Sequence, residues 1–120
     1  MRAIASLVFA GLLGAVATAA PTTIEGTLVD SACHMKDRAA GNDHGPMKGC
    51  GTMCLKGGTP AAVVTKDNKL HLIVAPAPAL AEFVGSTVRV SGEENGNVIL
   101  ATKVQVNKGG KWEEVKISAM

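Results

Sequence analysis

Apolar and polar residues alternate along much of the chain, which is the period-two pattern of half-buried β-strands. The first such run is TTIEGTLVD at residues 22–30. Two further β-rich runs, AAVVTK at 61–66 and LHLIVA at 70–75, are separated by the turn-forming pair Asp67-Asn68. The pattern therefore predicts one strand, then a long polar segment, then a β-hairpin.

The second half of the chain contains a predicted short helix followed by more strands. In residues 76–85, Pro78 is suited to open a helix and Gly85 to end it. STVRVSG and GNVILATKVQV are predicted strands on either side of a turn with the sequence EENG, and KWEEVKI adds a last strand after a Gly-Gly turn. We expect Glu93 and Glu94 to be solvated, and His71 to face solvent from its strand.

This order of elements favours an all-β fold. A short helix between the third and fourth strands of a five-stranded chain is the order of the OB-fold, a small Greek-key barrel. The Cys/His-rich segment at 31–58 would then be an insertion after the first strand. A generic antiparallel sandwich is the alternative, because a pattern of strands does not specify their spatial order.

The N-terminus has the layout of a secretory signal peptide. Arg2 precedes an apolar run from Ile4 to Val16, and small residues follow up to Ala20. The apolar run is shorter than the ~20 residues that span a bilayer. We therefore expect residues 1–20 to be cleaved near Ala19 or Ala20. The remaining residues, 21–120, would form one small periplasmic or secreted domain without a membrane anchor.

Composition excludes nucleic acid as a partner. Loss of Arg2 with the signal peptide leaves basic and acidic residues nearly in balance, and the chain has no Tyr. The only aromatic residues of the predicted mature chain are Phe83 and Trp112. Nucleic-acid binding needs a cationic surface and rings for stacking.

The stretches GTLVDSACHMK, CGTMCLKGGTPAAVVTKDNKLHLI and LAEFVGSTVRVSGEENGNVI resemble a family of small exported bacterial proteins of uncharacterised function. The resemblance rests on a G-x-L-x-D-S-x-C stretch, a C-x3-C-x3-G segment and a strand pair of the form G-x-x-V-x-V-x-G, and it covers nearly all of the predicted mature chain. It implies export and an OB-like barrel, and it implies no particular activity.

The chemistry-bearing residues are concentrated in the insertion, which contains all three cysteines. If residues 46–55 form a helix, the spacing places five side chains on one broad face: His44, Met47, Cys50, Met53 and Cys54. Gly49 and Gly51 each weaken such a helix by roughly 1 kcal/mol, so a metal or a disulfide would have to hold it. The candidate metal ligands are Cys33, His44, Cys50 and Cys54, with Met47 and Met53 as thioether donors.

Two interpretations of the insertion stay open. A Cys3His set is a common zinc composition, and thiolate, imidazole and thioether together suit copper(I), so copper or zinc is the expected ion. Alternatively, Cys33 forms a disulfide with Cys50 or Cys54 and leaves one thiol over. The protein would then be a disulfide-stabilised binding module whose partner is another protein.

No catalytic site is predicted. His44 and a nearby cysteine form a nucleophile pair in composition, but no third orienting group has a suggestive spacing, and the chain has no C-x-x-C motif. Asp30 is either a carboxylate that orients a ligand or a turn or cap residue. The sequence does not specify the oligomeric state.

Overall fold

A computed structural model describes residue 14, residues 21–44 and residues 46–117. The predicted signal peptide lies outside the described residues except for Gly14, so it stays a prediction. In chain order, the elements are β1 (Pro21–Asp30), α1 (Ser31–Asp37), α2 (Cys50–Lys56), β2 (Ala61–Val64), β3 (Leu70–Val74), α3 (Ala77–Leu80) with a 3-10 turn (Ala81–Phe83), β4 (Thr87–Asn95), β5 (Val98–Lys108) and β6 (Lys111–Val115).

Five of the strands close into a barrel. The sheet order is β3-β2-β1-β4-β5-β6, and a parallel pairing of β3 with β5, from Leu72↔Val98 to Val74↔Leu100, joins the two ends. The other pairings are antiparallel, and β6 extends the sheet by pairing with β5 alone. The helix α3 lies between β3 and β4, as in an OB-fold. The predicted all-β, OB-like barrel is confirmed.

The core is aliphatic, and the insertion contributes Leu55 to it. Leu28, Val63, Val90 and Ile99 are fully buried inside the barrel. Leu55 of α2 is also fully buried and belongs to the same cluster. Burial of a leucine side chain stabilises the folded state by roughly 1.5–3 kcal/mol. The second half of the insertion is therefore packed against the barrel and is not a free loop.

One predicted turn is shorter than expected. Strand β4 continues through Glu94 to Asn95, which pairs with Val98 at the start of β5. The predicted extent of the turn EENG is therefore wrong, because its first three residues belong to β4. Val88, Val90 and Gly92 alternate as buried positions along β4, and Glu94 continues that inward row.

The prediction that His71 and Glu94 face solvent was also wrong. Their side chains are only 14% and 22% exposed, and Nδ1 of His71 lies 2.8 Å from Oε1 of Glu94. His71 shares a strand face with the buried Ile73. The run LHLIV has apolar residues on both faces, so its pattern did not reveal which face would point inward.

None of the helices in the described part of the chain is long and apolar enough to cross a membrane.

Candidate metal centre

Helix α1 starts directly where β1 ends, and Asp30 is the residue at the junction. Its Oδ1 accepts a hydrogen bond of 3.0 Å from the backbone N–H of Ala32, which caps the helix. The cap interpretation of Asp30 is confirmed. Cys33 follows in the first turn of α1, so the direction in which β1 leaves the barrel determines where this thiol lies.

Helix α2 begins later than the predicted 46–55. The first residue of α2 is Cys50, and Gly49 precedes it with a φ of 65°, a left-handed conformation that favours glycine. Upstream, His44 and Met47 exchange backbone hydrogen bonds of 2.9 and 3.0 Å in a tight turn. This turn separates His44 from the helical face that it was expected to share with the cysteines.

Contacts from the insertion and the barrel, rather than helix propensity, hold α2. The side chain of Asn42 accepts a 2.8 Å hydrogen bond from the N–H of Thr52, and the Thr52 hydroxyl donates to the carbonyl of Ala81 at 2.8 Å. A Cβ at Gly51 would lie 2.6 Å from Cγ1 of Val84, so glycine permits the helix to approach the segment between the 3-10 turn and β4 this closely. Gly51 weakens α2 in isolation and is required for its packing.

These two helices bring the three cysteines together. The sulfur atoms of Cys33, Cys50 and Cys54 all lie within 4.8 Å of one another, and each residue is partly buried. Cys50 and Cys54 are one turn apart on α2, and Cys33 approaches from α1. All three are free thiols in this structure. The arrangement is a cluster of soft donors at the surface of the barrel.

The environment keeps two of the thiols protonated. Burial, followed by the adjacent Asp30 carboxylate and the neighbouring Cys50, raises the pKa of Cys33 to about 11. The adjacent Asp30 carboxylate, followed by burial and by Cys50, raises the pKa of Cys54 to about 12. A metal ion that binds here must therefore displace protons.

Asp30 is the buried charged residue at this centre. It is 2% exposed, and while its Oδ1 caps α1, its Oδ2 is buried without a partner in hydrogen-bond geometry. The carboxylate nevertheless lies close enough to Cys33 and Cys54 to act on both thiols. An unpaired carboxylate oxygen is costly to bury, and a cation among these groups would compensate it.

The other predicted ligands lie apart from this cluster or are exposed. His44 is not among the donors within 4.8 Å, and its Nε2–H donates to the carbonyl of Gly41 at 3.2 Å. Met47 and Met53 are 56% and 67% exposed, so their thioethers face solvent. Metal ligation by these three residues stays a prediction.

His34 has a structural role that the sequence did not indicate. It was expected to be an ordinary loop residue, but it lies in α1, is 4% exposed, and its Nδ1–H donates to the carbonyl of Ala39 at 3.0 Å. The N–H of Arg38 donates to the carbonyl of His34 at 2.8 Å. His34 thus ties the end of α1 to the following loop.

Comparisons with protein families, with characterised proteins and with solved structures find no match for this chain. The resemblance to a family of exported proteins stays a prediction.

Proposed function

We propose that the protein binds a soft transition metal, copper or zinc, through Cys33, Cys50 and Cys54. The observation that carries the proposal is that three sulfur atoms, contributed by two helices, lie within 4.8 Å of one another. Thiolates select soft and borderline ions such as Cu(I) and Zn²⁺. The barrel is the rigid scaffold, and the insertion between β1 and β2 is the functional surface.

We also propose that the protein does this work after export. The signal-like N-terminus supports cleavage near Ala19 or Ala20 and a periplasmic or secreted location. In that compartment, a reduced three-thiol cluster is vulnerable to oxidation unless a metal occupies it. Metal sequestration or delivery is the role that fits this location, with no catalytic step.

A second candidate function is a disulfide-stabilised module that binds a protein partner and no metal. The same proximity supports it, because Cys33 needs only a small movement to form a bond with a cysteine of α2 in an oxidising compartment. The third thiol would then be left free.

Native mass spectrometry of the protein purified from the periplasm, combined with alkylation counts, separates the two candidates. The metal proposal expects a bound zinc or copper ion and three thiols that react only after a chelator is added. A metal-free chain that is lighter by two hydrogen atoms and has one reactive thiol would refute it and support the disulfide module. N-terminal sequencing of the same sample tests cleavage after Ala19 or Ala20.

A further inference from the structure

Four donor groups meet at the cysteine cluster: the three thiols and the carboxylate of Asp30. Cys50 lies beside both Cys33 and Cys54, and the carboxylate of Asp30 also lies beside both. Asp30 therefore borders the same cluster as the thiols. It is not among the donors that all lie within 4.8 Å of one another, so at least one of its distances to the three sulfur atoms is longer than 4.8 Å.

The unpaired oxygen distinguishes Asp30 from an ordinary helix cap. A cap needs one side-chain oxygen, and Oδ1 supplies it to Ala32. The other oxygen, Oδ2, is buried on a residue that is 2% exposed and has no partner in hydrogen-bond geometry, although the thiols of Cys33 and Cys54 lie near this carboxylate. Buried polar atoms without partners are rare in folded proteins and require an explanation such as a missing ion.

The chemistry of this donor set favours a divalent ion. Carboxylate oxygen is a usual ligand of Zn²⁺, whereas Cu(I) prefers sulfur alone. Three thiolates and a carboxylate also place four negative charges at one centre, which a divalent cation offsets better than a monovalent one. Structural zinc sites take four protein ligands in a tetrahedron, and the three thiols with the Asp30 carboxylate provide four groups.

We propose that Asp30 is the fourth ligand of a Cys3Asp site formed with Cys33, Cys50 and Cys54, and that this site selects Zn²⁺ over Cu(I). The proposal rests on the proposed metal-binding function and deepens it by naming the ion. It replaces His44, which is hydrogen-bonded to Gly41, as the fourth ligand. The exposed Met47 and Met53 are not needed for the site.

The test compares Asp30→Asn with His44→Gln in the reduced, metal-free protein. Asparagine retains a side-chain oxygen that caps α1 but is a poor zinc ligand, and His44→Gln removes the rival imidazole. Zn²⁺ affinity is measured by competition with a chromophoric chelator, and Cu(I) affinity by competition with bicinchoninate. Circular dichroism checks that each variant is folded, and Asp30→Ser is the substitute if Asp30→Asn does not fold.

The proposal expects wild-type protein to bind one Zn²⁺. Asp30→Asn should lower the Zn²⁺ affinity by at least about 10-fold while leaving the Cu(I) affinity unchanged. His44→Gln should match the wild type for both ions. Equal Zn²⁺ affinities of Asp30→Asn and the wild type would overturn the assignment, as would a loss of Zn²⁺ affinity in His44→Gln alone.

X-ray absorption of the zinc-loaded wild type gives a readout that does not depend on a variant. Three sulfur scatterers and one light scatterer, without the outer-shell pattern of imidazole, are expected. An imidazole pattern or a fourth sulfur would refute the Cys3Asp site. Binding of Cu(I) without Zn²⁺ would overturn only the fourth-ligand proposal, and binding of neither ion would overturn the proposed function itself.

Discussion

The carboxylate of Asp30 lies against the thiol of Cys54, although 24 positions of sequence separate the two residues. One group ends the first strand of the barrel, and the other belongs to the second helix of the insertion. Their contact raises the pKa of Cys54 to about 12, with burial as the second cause. Because this contact raises the pKa of Cys54, it affects both the pH dependence of stability and the proposed binding of metal.

The reduced, metal-free protein should lose stability at alkaline pH. The ordinary pKa of the Cys54 thiol is 9.0, and in the folded chain it is about 12. Between these values the folded state holds a proton that the unfolded state has lost. The stabilisation is thus complete below the lower value and declines as the pH rises towards the higher one. Cys33, raised to about 11, adds to the same decline.

Denaturant titrations from neutral pH upward measure this decline, with Cys54→Ser as the control. Lysines titrate in a similar range in both proteins, so the difference between the two curves isolates the thiol. The variant should lose stability with pH less steeply than the wild type, and parallel curves would contradict the prediction.

Metal removal should destabilise the protein, and metal affinity should rise with pH. An ion that binds only the folded state stabilises it by about 2.7 kcal/mol when its free concentration is 100 times Kd. Because the thiols must lose protons to bind the ion, its affinity should increase as the pH rises. Thermal unfolding with zinc and with a chelator, at two pH values, measures both effects. Cys50→Ser should show a much smaller shift, and an equal shift would point to metal bound elsewhere.

Leu55→Ala should be strongly destabilising. Leu55 is fully buried and joins α2 to the barrel core, so its truncation should cost about 2–5 kcal/mol. Leu100→Ala is the matched control, because Leu100 is 52% exposed and should change stability by less than about 0.5 kcal/mol. Urea denaturation compares the two, and the prediction fails if their effects are equal.

Glu94→Ala should destabilise the barrel more than Glu93→Ala. Glu94 is the partner of the mostly buried His71, and its loss leaves that ring without its carboxylate, at a cost of about 1–3 kcal/mol. Glu93 is exposed on the other face of the same strand. Denaturant titration at neutral pH gives both values. An equal or larger loss for Glu93→Ala would contradict the prediction.

Much of the barrel was predictable because its signals are local. The turn at Asp67-Asn68 was confirmed: Asn68 has a φ of 63°, and the N–H of Thr65 donates to the carbonyl of Lys69. The short helix near Pro78 was also confirmed at Ala77–Leu80. Turn chemistry and period-two alternation depend on neighbours along the chain, so both can be recognised from the residues themselves.

The candidate metal centre was predictable only in part. Composition and spacing identify the cysteines as candidates, but their convergence depends on how α1 and α2 pack on the barrel. The helical spacing that favours His44 does not extend upstream of Cys50, because the backbone is left-handed at Gly49. The sequence indicates that Asp30 is a cap or an orienting carboxylate. Its burial beside two thiols depends on residues that are distant in sequence.

The sequence by itself determined the strands, their order with the helix, and the set of soft donors between β1 and β2. Alternation, turn residues and helix signals each depend on a few neighbouring residues, so they can be recognised in the sequence without the three-dimensional structure. Tertiary structure decided which face of β3 points inward, where α2 begins, and which donors meet. Those outcomes depend on the closure of β3 against β5 and on the packing of Gly51 and Leu55. Both bring together residues that no local pattern relates.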